Sequence, residues 1–260
     1  MLNKLNKLFR NNNIEDIFRL VLSRLIRPKI DNYDYIMTLF SGRSGIEIGG
    51  PSGDFKARGF IPIYNIVKLL DGCNYSTTTI WEGNIGNMTS YLRDGPPGVQ
   101  YISEATDLSF SPDAKYDFVI SSNCLEHVAN PLKAINEWLR VIRNDGLLLL
   151  VLPNKDYCFD HKRFITSMNH LIDDYNKNID EDDMTHLDEI LKLHDLKMDK
   201  CAGSIDQFKA RSLDNQHNRT LHHHVFNCAL LNEIFHYFKL ETLLTYEGNI
   251  GHVILGCKIM

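Results

Sequence analysis

The sequence predicts a single α/β domain in which helices cover a central sheet of mainly parallel strands. Short apolar segments of strand length alternate with helical segments over residues 41–153, and similar segments return over residues 226–260. A glycine-rich turn follows the first strand-like segment, as is typical of α/β domains that bind nucleotide-like ligands. With 43% hydrophobic and 23% charged residues, the 260-residue chain can build one complete core.

The distribution of charge argues against a nucleic-acid partner. The formal net charge is −5, but residues 1–30 contain seven Lys or Arg and two acidic residues, which leaves −10 for the remainder. Binding to nucleic-acid phosphates requires a basic surface, and so acidic a body does not provide one. We therefore expect neither DNA nor RNA as a substrate.

The cysteines and the hydropathy pattern indicate a cytoplasmic protein. The six cysteines are scattered and form no Cys-x-x-Cys pair, which predicts neither a disulfide framework nor a zinc site of that type. No apolar run reaches the roughly 20 residues that a membrane span needs, and the N-terminus lacks the pattern of a secretion signal. We expect reduced thiols and no integral membrane segment.

Residues 1–40 predict an N-terminal helical extension. Apolar residues recur at helical spacing over residues 14–25, arginines lie among them, and Pro28 ends the pattern. We expect an amphipathic helix that packs its apolar stripe on the domain. A lid over the substrate and a weak contact with a membrane surface are the alternatives.

The first predicted strand, Ser44–Ile48, runs directly into a glycine turn at residues 49–53. Glycines in such a turn let backbone N–H groups approach a ligand closely. A P-loop is excluded because no Gly-Lys-Ser/Thr follows. A dinucleotide site is disfavoured because Gly49 and Gly50 are adjacent and the GxGxxG spacing is absent.

A second apolar run, residues 64–70, predicts a strand that ends at Asp71. An acid at the end of the second strand can hold both hydroxyls of a ribose. The alternative is that Asp71 and Gly72 only form a turn. Residues 100–103 then precede another turn, and residues 116–122 predict a further buried strand.

Two motifs resemble those of class I S-adenosylmethionine-dependent methyltransferases. Residues 45–53, with Glu47 two positions before Gly49, resemble the first motif of that family. Residues 116–128, which end in Leu125-Glu126-His127-Val128, resemble its fourth-strand motif. The resemblance covers residues 45–153 and 226–259. It implies a Rossmann-like seven-stranded sheet flanked by helices, in which the last strand runs antiparallel beside the fifth.

This resemblance implies S-adenosylmethionine as the cofactor and assigns residues to it. In the family, the acid at position 47 acts near the methionyl part, the glycine turn passes under the cofactor, and the acid at position 107 meets the adenine amino group. Asp107 could instead only cap a helix. The residues expected to bind the cofactor are Glu47, Gly49, Gly50, Pro51, Ser52, Asp71, Thr106, Asp107, Leu108 and Asn123.

Residues 154–225 interrupt the family pattern after the fifth strand and predict the substrate region. The remaining boundaries are an extension at 1–40, a cofactor-binding core at 41–153 and closing elements at 226–260. Insertions at the carboxyl edge of an α/β sheet face the ligand site, and this one is rich in His, Arg and Asp. We expect His127, His223 and Arg163 to act on the acceptor, although His127 could instead only hydrogen-bond its loop or the cofactor.

The acceptor expected from the sequence is an anionic oxygen on a small or nucleotide- or sugar-linked molecule. Residues 47–52, 125–131, 159–163 and 222–226 resemble a bacterial subgroup found with surface-polysaccharide gene clusters, some members of which are associated with O-methyl phosphoramidate decoration of capsules. A phosphoryl or phosphoramidate oxygen needs cationic partners, which Lys162, Arg163, Arg211, Arg219 and the trio His222, His223 and His224 could supply. The alternative is a sugar hydroxyl, which needs a base such as His127 or His223.

Other classes of function stay open at this point. A nicotinamide-dependent oxidoreductase and a non-catalytic cofactor-binding module are the rivals to a methyltransferase. A functional metal is not expected, although His222 with His224, or His170 with the Asp173-Asp174 pair, have spacings that ligands can adopt.

Overall fold

The computed structural model describes residues 29–249 and 251–259, so the helix predicted over residues 14–25 lies outside the described residues. The strands are β1 Ser44–Ile48, β2 Leu69–Asn74, β3 Thr78–Thr79, β4 Gly83–Asn84, β5 Gln100–Ile102, β6 Tyr116–Ser122, β7 Ile142–Leu152, β8 Leu240–Glu247 and β9 His252–Lys258. The α-helices are α1 Tyr33–Phe40, α2 Pro131–Val141, α3 Met168–Asn176, α4 Leu187–Leu193, α5 Ile205–Leu213, α6 Asn215–Asn218 and α7 Cys228–Tyr237.

Seven of these strands form one sheet, in the order β5-β2-β1-β6-β7-β9-β8. The pairs from β5 through β7 are parallel, whereas β9 pairs antiparallel with both β7 and β8. The predicted Rossmann-like seven-stranded sheet, with its antiparallel strand inserted beside the fifth parallel strand, is confirmed. The carboxyl ends of β1, β2 and β6 therefore meet at one edge, where α/β sheets bind ligands.

The central strands are buried on both faces, which explains their almost continuous apolar sequences. On one face, β1, β6 and β7 pack with α2 and α7 around Trp138. On the other face, α1 and the segment of residues 55–67 pack around Phe118. The sheet is thus covered on both sides.

The strand predicted at residues 64–70 is wrong. Phe60, Ile61, Ile63 and Tyr64 are buried, but they lie in an irregular segment on one face of the sheet. The second strand is Leu69–Asn74, so Asp71 lies within it and not at its end. An apolar run shows that residues are buried, but it does not show whether they pair with a neighbouring strand.

Helix α2 has a well-defined N-terminal cap and is followed at once by a strand. Asn130 caps the helix by accepting a hydrogen bond from the backbone N–H of Lys133, and Pro131 stands at the first turn. Residues 144–146, with the turn-like sequence Asn-Asp-Gly, lie within β7, where Asp145 has a φ of 59° and the pairing with β6 is irregular. A bulge thus accommodates residues that normally break secondary structure.

Residues 153–227 connect β7 to α7 and cover the carboxyl edge of the sheet. They contain helices α3 to α6 and a small apolar cluster of their own around Phe208. Among the described residues, no helix has both the length and the apolar character to cross a membrane.

Candidate active site

A cavity of about 660 Å³ lies at the carboxyl ends of β1, β2 and β6. Its walls are the turn after β1, the end of β2, the segment after β5 and the loop after β6, and residues from the 153–227 connection close it. A volume of this size is in the range of small-molecule and cofactor sites. The edge of the sheet and the connection therefore form opposite walls of one site.

Glu47 lies beneath the glycine turn and not on the cavity wall. Its side chain is fully buried and accepts hydrogen bonds from Tyr64 Oη at 2.5 Å, Tyr91 Oη at 2.7 Å and the Ser52 backbone N–H at 2.9 Å. Burial raises the pKa of Glu47 to about 7, although these three donors oppose the shift. The carboxylate thus holds the turn in place from below.

The turn itself requires glycine at position 49. Gly49 has a φ of +80°, and a Cβ atom there would lie 2.5 Å from the Cys124 side chain. Its N–H bonds to the Cys73 carbonyl at 2.9 Å, while the Gly50 carbonyl accepts from Asn74 Nδ2 at 2.6 Å. Gly49, Pro51 and Ser52 line the cavity, so the turn forms its floor.

Asp71 points away from the cavity. Its carboxylate accepts hydrogen bonds from Tyr116 Oη at 2.8 Å, Lys115 Nζ at 3.1 Å and the Val99 backbone N–H at 2.9 Å. The residues that line the cavity at the end of β2 are Cys73, Asn74 and Tyr75. Sequence reasoning missed them because none is the acidic residue that the motif leads one to expect.

The expected adenine segment is displaced by a few residues. Ser103, Glu104 and Ala105 line the cavity, whereas Thr106, Asp107 and Leu108 do not. Asp107 accepts from the Ser109 backbone N–H at 2.9 Å, and Leu108 is fully buried in the core. Asn123, by contrast, lines the cavity as expected and has a φ of 49°.

His127 lies on the cavity wall in the short 3₁₀ helix Leu125–His127. Its Nδ1 lies 3.0 Å from the Leu221 carbonyl oxygen, and a carbonyl only accepts, so Nδ1 carries the proton. Its ring meets the rings of Trp81 and His222 at centroid distances of 5.0 and 4.5 Å. Burial first, and the neighbouring His222 second, hold the pKa of His127 well below its usual value, so the imidazole is neutral.

Arg163 and His223 are buried outside the cavity wall. Arg163 is 3% exposed and donates to Asp160 Oδ1 at 3.1 Å and to the carbonyls of His222 and His223 at 2.7 and 3.1 Å. His223 pairs with the Asn215 amide at 3.1 Å, and burial lowers its pKa to about 4. Of the three residues expected to act on the acceptor, the structure brings His127 to the cavity.

The Arg163 contacts hold a second histidine at the cavity. His222 Nδ1 lies 2.5 Å from Asp160 Oδ2, and it lines the cavity together with Glu126. Burial opposes protonation of His222, but the Asp160 carboxylate raises its pKa. Burial raises the pKa of Glu126 to about 7. Trp81 and Glu126 also line the cavity, and the sequence had assigned neither of them a role there.

The cationic side chains near the cavity are paired with carboxylates. Arg211 bonds to Asp199 at 2.6 Å. Arg219 bonds to Glu104 at 2.6 Å and to Glu181 at 3.2 Å. Because Glu82 and Glu126 also line the cavity, its wall holds more acidic than basic side chains. Such a wall favours a positively charged ligand over an anion.

Comparison with known proteins identifies the core. Residues 65–150 match the family model described as a methyltransferase domain. The chain carries a methyltransferase domain. S-adenosylmethionine is the cofactor of this class of domain, and the cavity fits it: the glycine turn admits close backbone contact, and the acidic wall complements a sulfonium cation.

Sequence and structure comparisons found further similar proteins, of which the solved structures agree with this fold. A segment of 44 residues is 50% identical to an uncharacterized protein of Methanocaldococcus jannaschii, and the match spans 17% of this chain and 19% of that protein. A chain of the Haloferax volcanii complex that contains the Trm112 methyltransferase activator aligns with a TM-score of 0.51 at 11% identity, covering 88% of this chain and 87% of that one. A SAM-dependent methyltransferase from Methanosarcina mazei aligns with a TM-score of 0.50 at 17% identity, covering 89% and 100%. At these identities the likeness concerns the fold.

Proposed function

We propose that this chain is an S-adenosylmethionine-dependent O-methyltransferase whose acceptor is a neutral hydroxyl group of a small, sugar-like molecule. The observation that carries this proposal is the neutral His127 on the cavity wall, with its proton on Nδ1 and no hydrogen bond from Nε2 to any described residue. An imidazole in this state can accept a proton at Nε2.

The charges around the cavity favour a hydroxyl over the phosphoryl or phosphoramidate oxygen expected from the sequence. An anionic acceptor would need unpaired cations, but Arg163, Arg211 and Arg219 already bond to carboxylates. Lys162 is half exposed and lies 3.6 Å from Asp195. The resemblance to the surface-polysaccharide subgroup supports a sugar-linked acceptor, and a phosphorylated acceptor is the competing outcome of the test.

The residues on the wall account for the steps that the protein must perform. When bound, S-adenosylmethionine supplies an electrophilic methyl group on a positively charged sulfur. Accordingly, the main tasks of the chain are to align the acceptor oxygen and to exclude water. As the oxygen–carbon bond forms and the carbon–sulfur bond breaks, His127 Nε2 takes the hydroxyl proton. The Leu221 carbonyl stabilises the resulting imidazolium through Nδ1.

The test is transfer of a labelled methyl group to paired acceptors, a free sugar and its phosphate ester. We expect the free hydroxyl compound to react faster, and His127→Gln to lower kcat by about 10²- to 10⁴-fold. Binding of S-adenosylhomocysteine should be retained, and His217→Gln is the control because His217 is exposed on α6. A preference for the phosphate ester, or undiminished turnover by His127→Gln, would overturn the proposal.

The pH profile is a second readout of the same residue. The groups that face His127 are His222 and His223, which lower its pKa, and Asp160, which raises it, while burial is the largest cause of its low value. Because His127 is already neutral at neutral pH, we expect the wild-type rate to be flat from about pH 6.5 to 8 and to fall only in more acidic buffer. A rate that climbs steadily across this range would contradict a base with so low a pKa.

A further inference from the structure

Four potential ligands converge outside the cavity, in the connection between β7 and α7. The side-chain donor atoms of His170, Asp174, His186 and His224 all lie within 4.8 Å of one another. His170 and Asp174 stand one turn apart on α3, His186 precedes α4, and His224 lies in the extended segment before α7. Three separate stretches of chain therefore place potential nitrogen and oxygen ligands of a metal ion around one point.

The distances within the group match those between ligands of one metal ion. His170 Nε2 lies 3.1 Å from His186 Nε2 and 3.3 Å from Asp174 Oδ2. In a tetrahedral zinc site with zinc–nitrogen bonds of about 2.0–2.1 Å, neighbouring ligand atoms are about 3.3 Å apart. Two neutral imidazole nitrogens at this distance can share one proton at most, whereas a common cation satisfies both lone pairs.

Two buried atoms in the group are without hydrogen-bond partners. Among the residues that the structure describes, neither Asp174 Oδ2 nor His224 Nδ1 makes a hydrogen bond of normal geometry, and the contact of Asp174 Oδ2 with His170 Nε2 at 3.3 Å is an ion-pair contact only. Asp174 is 8% exposed and His224 is 1% exposed, so both side chains are shielded from bulk solvent. Buried polar atoms of native proteins normally have a partner, and a bound ion is a recognised reason for an exception.

The other ring nitrogen of His224 is held as in a metal ligand. Its Nε2 lies 3.0 Å from the Ala129 carbonyl, which places the proton on Nε2 and leaves the Nδ1 lone pair free. Histidine ligands of metals almost always donate their second N–H to a carbonyl or carboxylate in this way. The same Nε2 lies 3.8 Å from Asp174 Oδ2, so His224 would have to turn its ring to present the Nδ1 lone pair to a metal held by the other three residues.

We propose that His170, Asp174, His186 and His224 bind one Zn²⁺ ion in a closed tetrahedral site. Three imidazoles and one carboxylate suit zinc, and four protein ligands without an open position are typical of a structural site. The ion would tie α3 and the segment before α4 to the loop that carries His127. His224 bonds to Ala129, and Asn130 Nδ2 donates to the Asp174 carbonyl at 3.1 Å. The bound ion would thus fix the position of the 153–227 connection relative to the loop that carries His127.

This site is separate from the histidines of the cavity. Glu126, His127 and His222 also lie close together, but Nδ1 of His127 bonds to Leu221 and Nδ1 of His222 bonds to Asp160. Those three residues belong to the active site already described. Because the two groups share no residue, zinc binding by the proposed site and methyl transfer at the cavity can be tested independently.

The test uses the full chain, stripped with a chelator and titrated with Co²⁺ as a spectroscopic probe and then with Zn²⁺. We expect about one equivalent of Co²⁺ to bind with the visible absorption of a tetrahedral site, and Zn²⁺ to displace it. His170→Ala and Asp174→Asn should abolish the spectrum. His217→Ala and Glu126→Gln should leave it intact, because neither residue belongs to the site. At a hundredfold excess over Kd, Zn²⁺ should raise the wild-type melting midpoint by about 5 °C or more.

Three results would overturn the proposal. The first is the absence of stoichiometric Co²⁺ or Zn²⁺ binding by the wild-type chain, measured by absorption and by elemental analysis. The second is the persistence of binding in both His170→Ala and Asp174→Asn, and the third is its loss in Glu126→Gln. The His170 side chain is 39% exposed, so its truncation is the substitution least prone to prevent folding. The absence of binding by the wild-type chain refutes the proposal whether or not the variants fold.

Discussion

Replacement of Glu47 by glutamine should make the protein more stable in mildly alkaline buffer than the wild type. Glu47 is fully buried beneath the glycine turn, and burial raises its pKa to about 7 from an ordinary value of 4.5. The folded protein therefore binds this proton more tightly than the unfolded chain does. Glutamine has nearly the shape of the protonated acid and carries no charge to desolvate.

The sign and size of the effect follow from this difference in pKa. Since the folded-state pKa is raised, the stability contributed by the proton is present below about pH 4.5 and is lost as the pH rises through about 7. Between pH 5 and pH 8 the wild type should lose on the order of 2–3 kcal/mol through this one group. Glu47→Gln lacks this loss, so the two proteins should be similarly stable at pH 5 and should differ by that amount at pH 8.

Urea denaturation at both pH values measures the difference, with Glu241→Gln on the exposed part of β8 as the control for loss of a carboxylate. The two variants should separate at pH 8 and not at pH 5. If Glu47→Gln is equally or less stable than the wild type at pH 8, the carboxylate is stabilised by its three donors more than burial costs it, and the reasoning fails.

Two further substitutions test how the turn and the second strand contribute. Gly49→Ala should lower the affinity for S-adenosylhomocysteine by at least about 10-fold and cost about 1–3 kcal/mol of stability, because alanine is strained at a φ of +80° and its Cβ would meet Cys124. Calorimetric titration measures the affinity, and an unchanged Kd would contradict the role of the turn. Asp71→Asn should cost about 1–3 kcal/mol because it weakens the bonds to Tyr116 and Lys115, yet leave the affinity for S-adenosylhomocysteine within about twofold. A large loss of affinity in the folded variant would instead place Asp71 at the cofactor.

Much of the scaffold was predictable from local patterns. The strand at residues 44–48, the N-cap and proline at the start of α2, and the closing helix and strands follow from apolar spacing and turn residues. These signals are short-range, because the apolar spacing of a strand and the cap of a helix each depend on residues a few positions apart. The same logic failed at residues 64–70, where burial came without strand pairing.

The candidate site was predictable only in part. The glycine turn, Asn123 and His127, which the sequence singled out, lie on the cavity wall. Arg163 and His223 were singled out for their chemistry, but chemistry does not show whether a side chain faces a ligand or another residue. Arg163 is enclosed by Asp160 and by two carbonyls of residues far along the chain, and no local pattern records such contacts.

By itself, then, the sequence determined the fold class, the glycine turn and the loop that carries His127, because each depends on residues within a few positions of one another. Only the tertiary structure decided where Glu47 and Asp71 direct their carboxylates and which arginines are paired with acidic residues. It also brought together the side chains of four residues that are distant in sequence, His170, Asp174, His186 and His224. These properties depend on contacts between distant segments, and both the electrostatic cost of burial and the geometry of a ligand set arise only once those segments pack together.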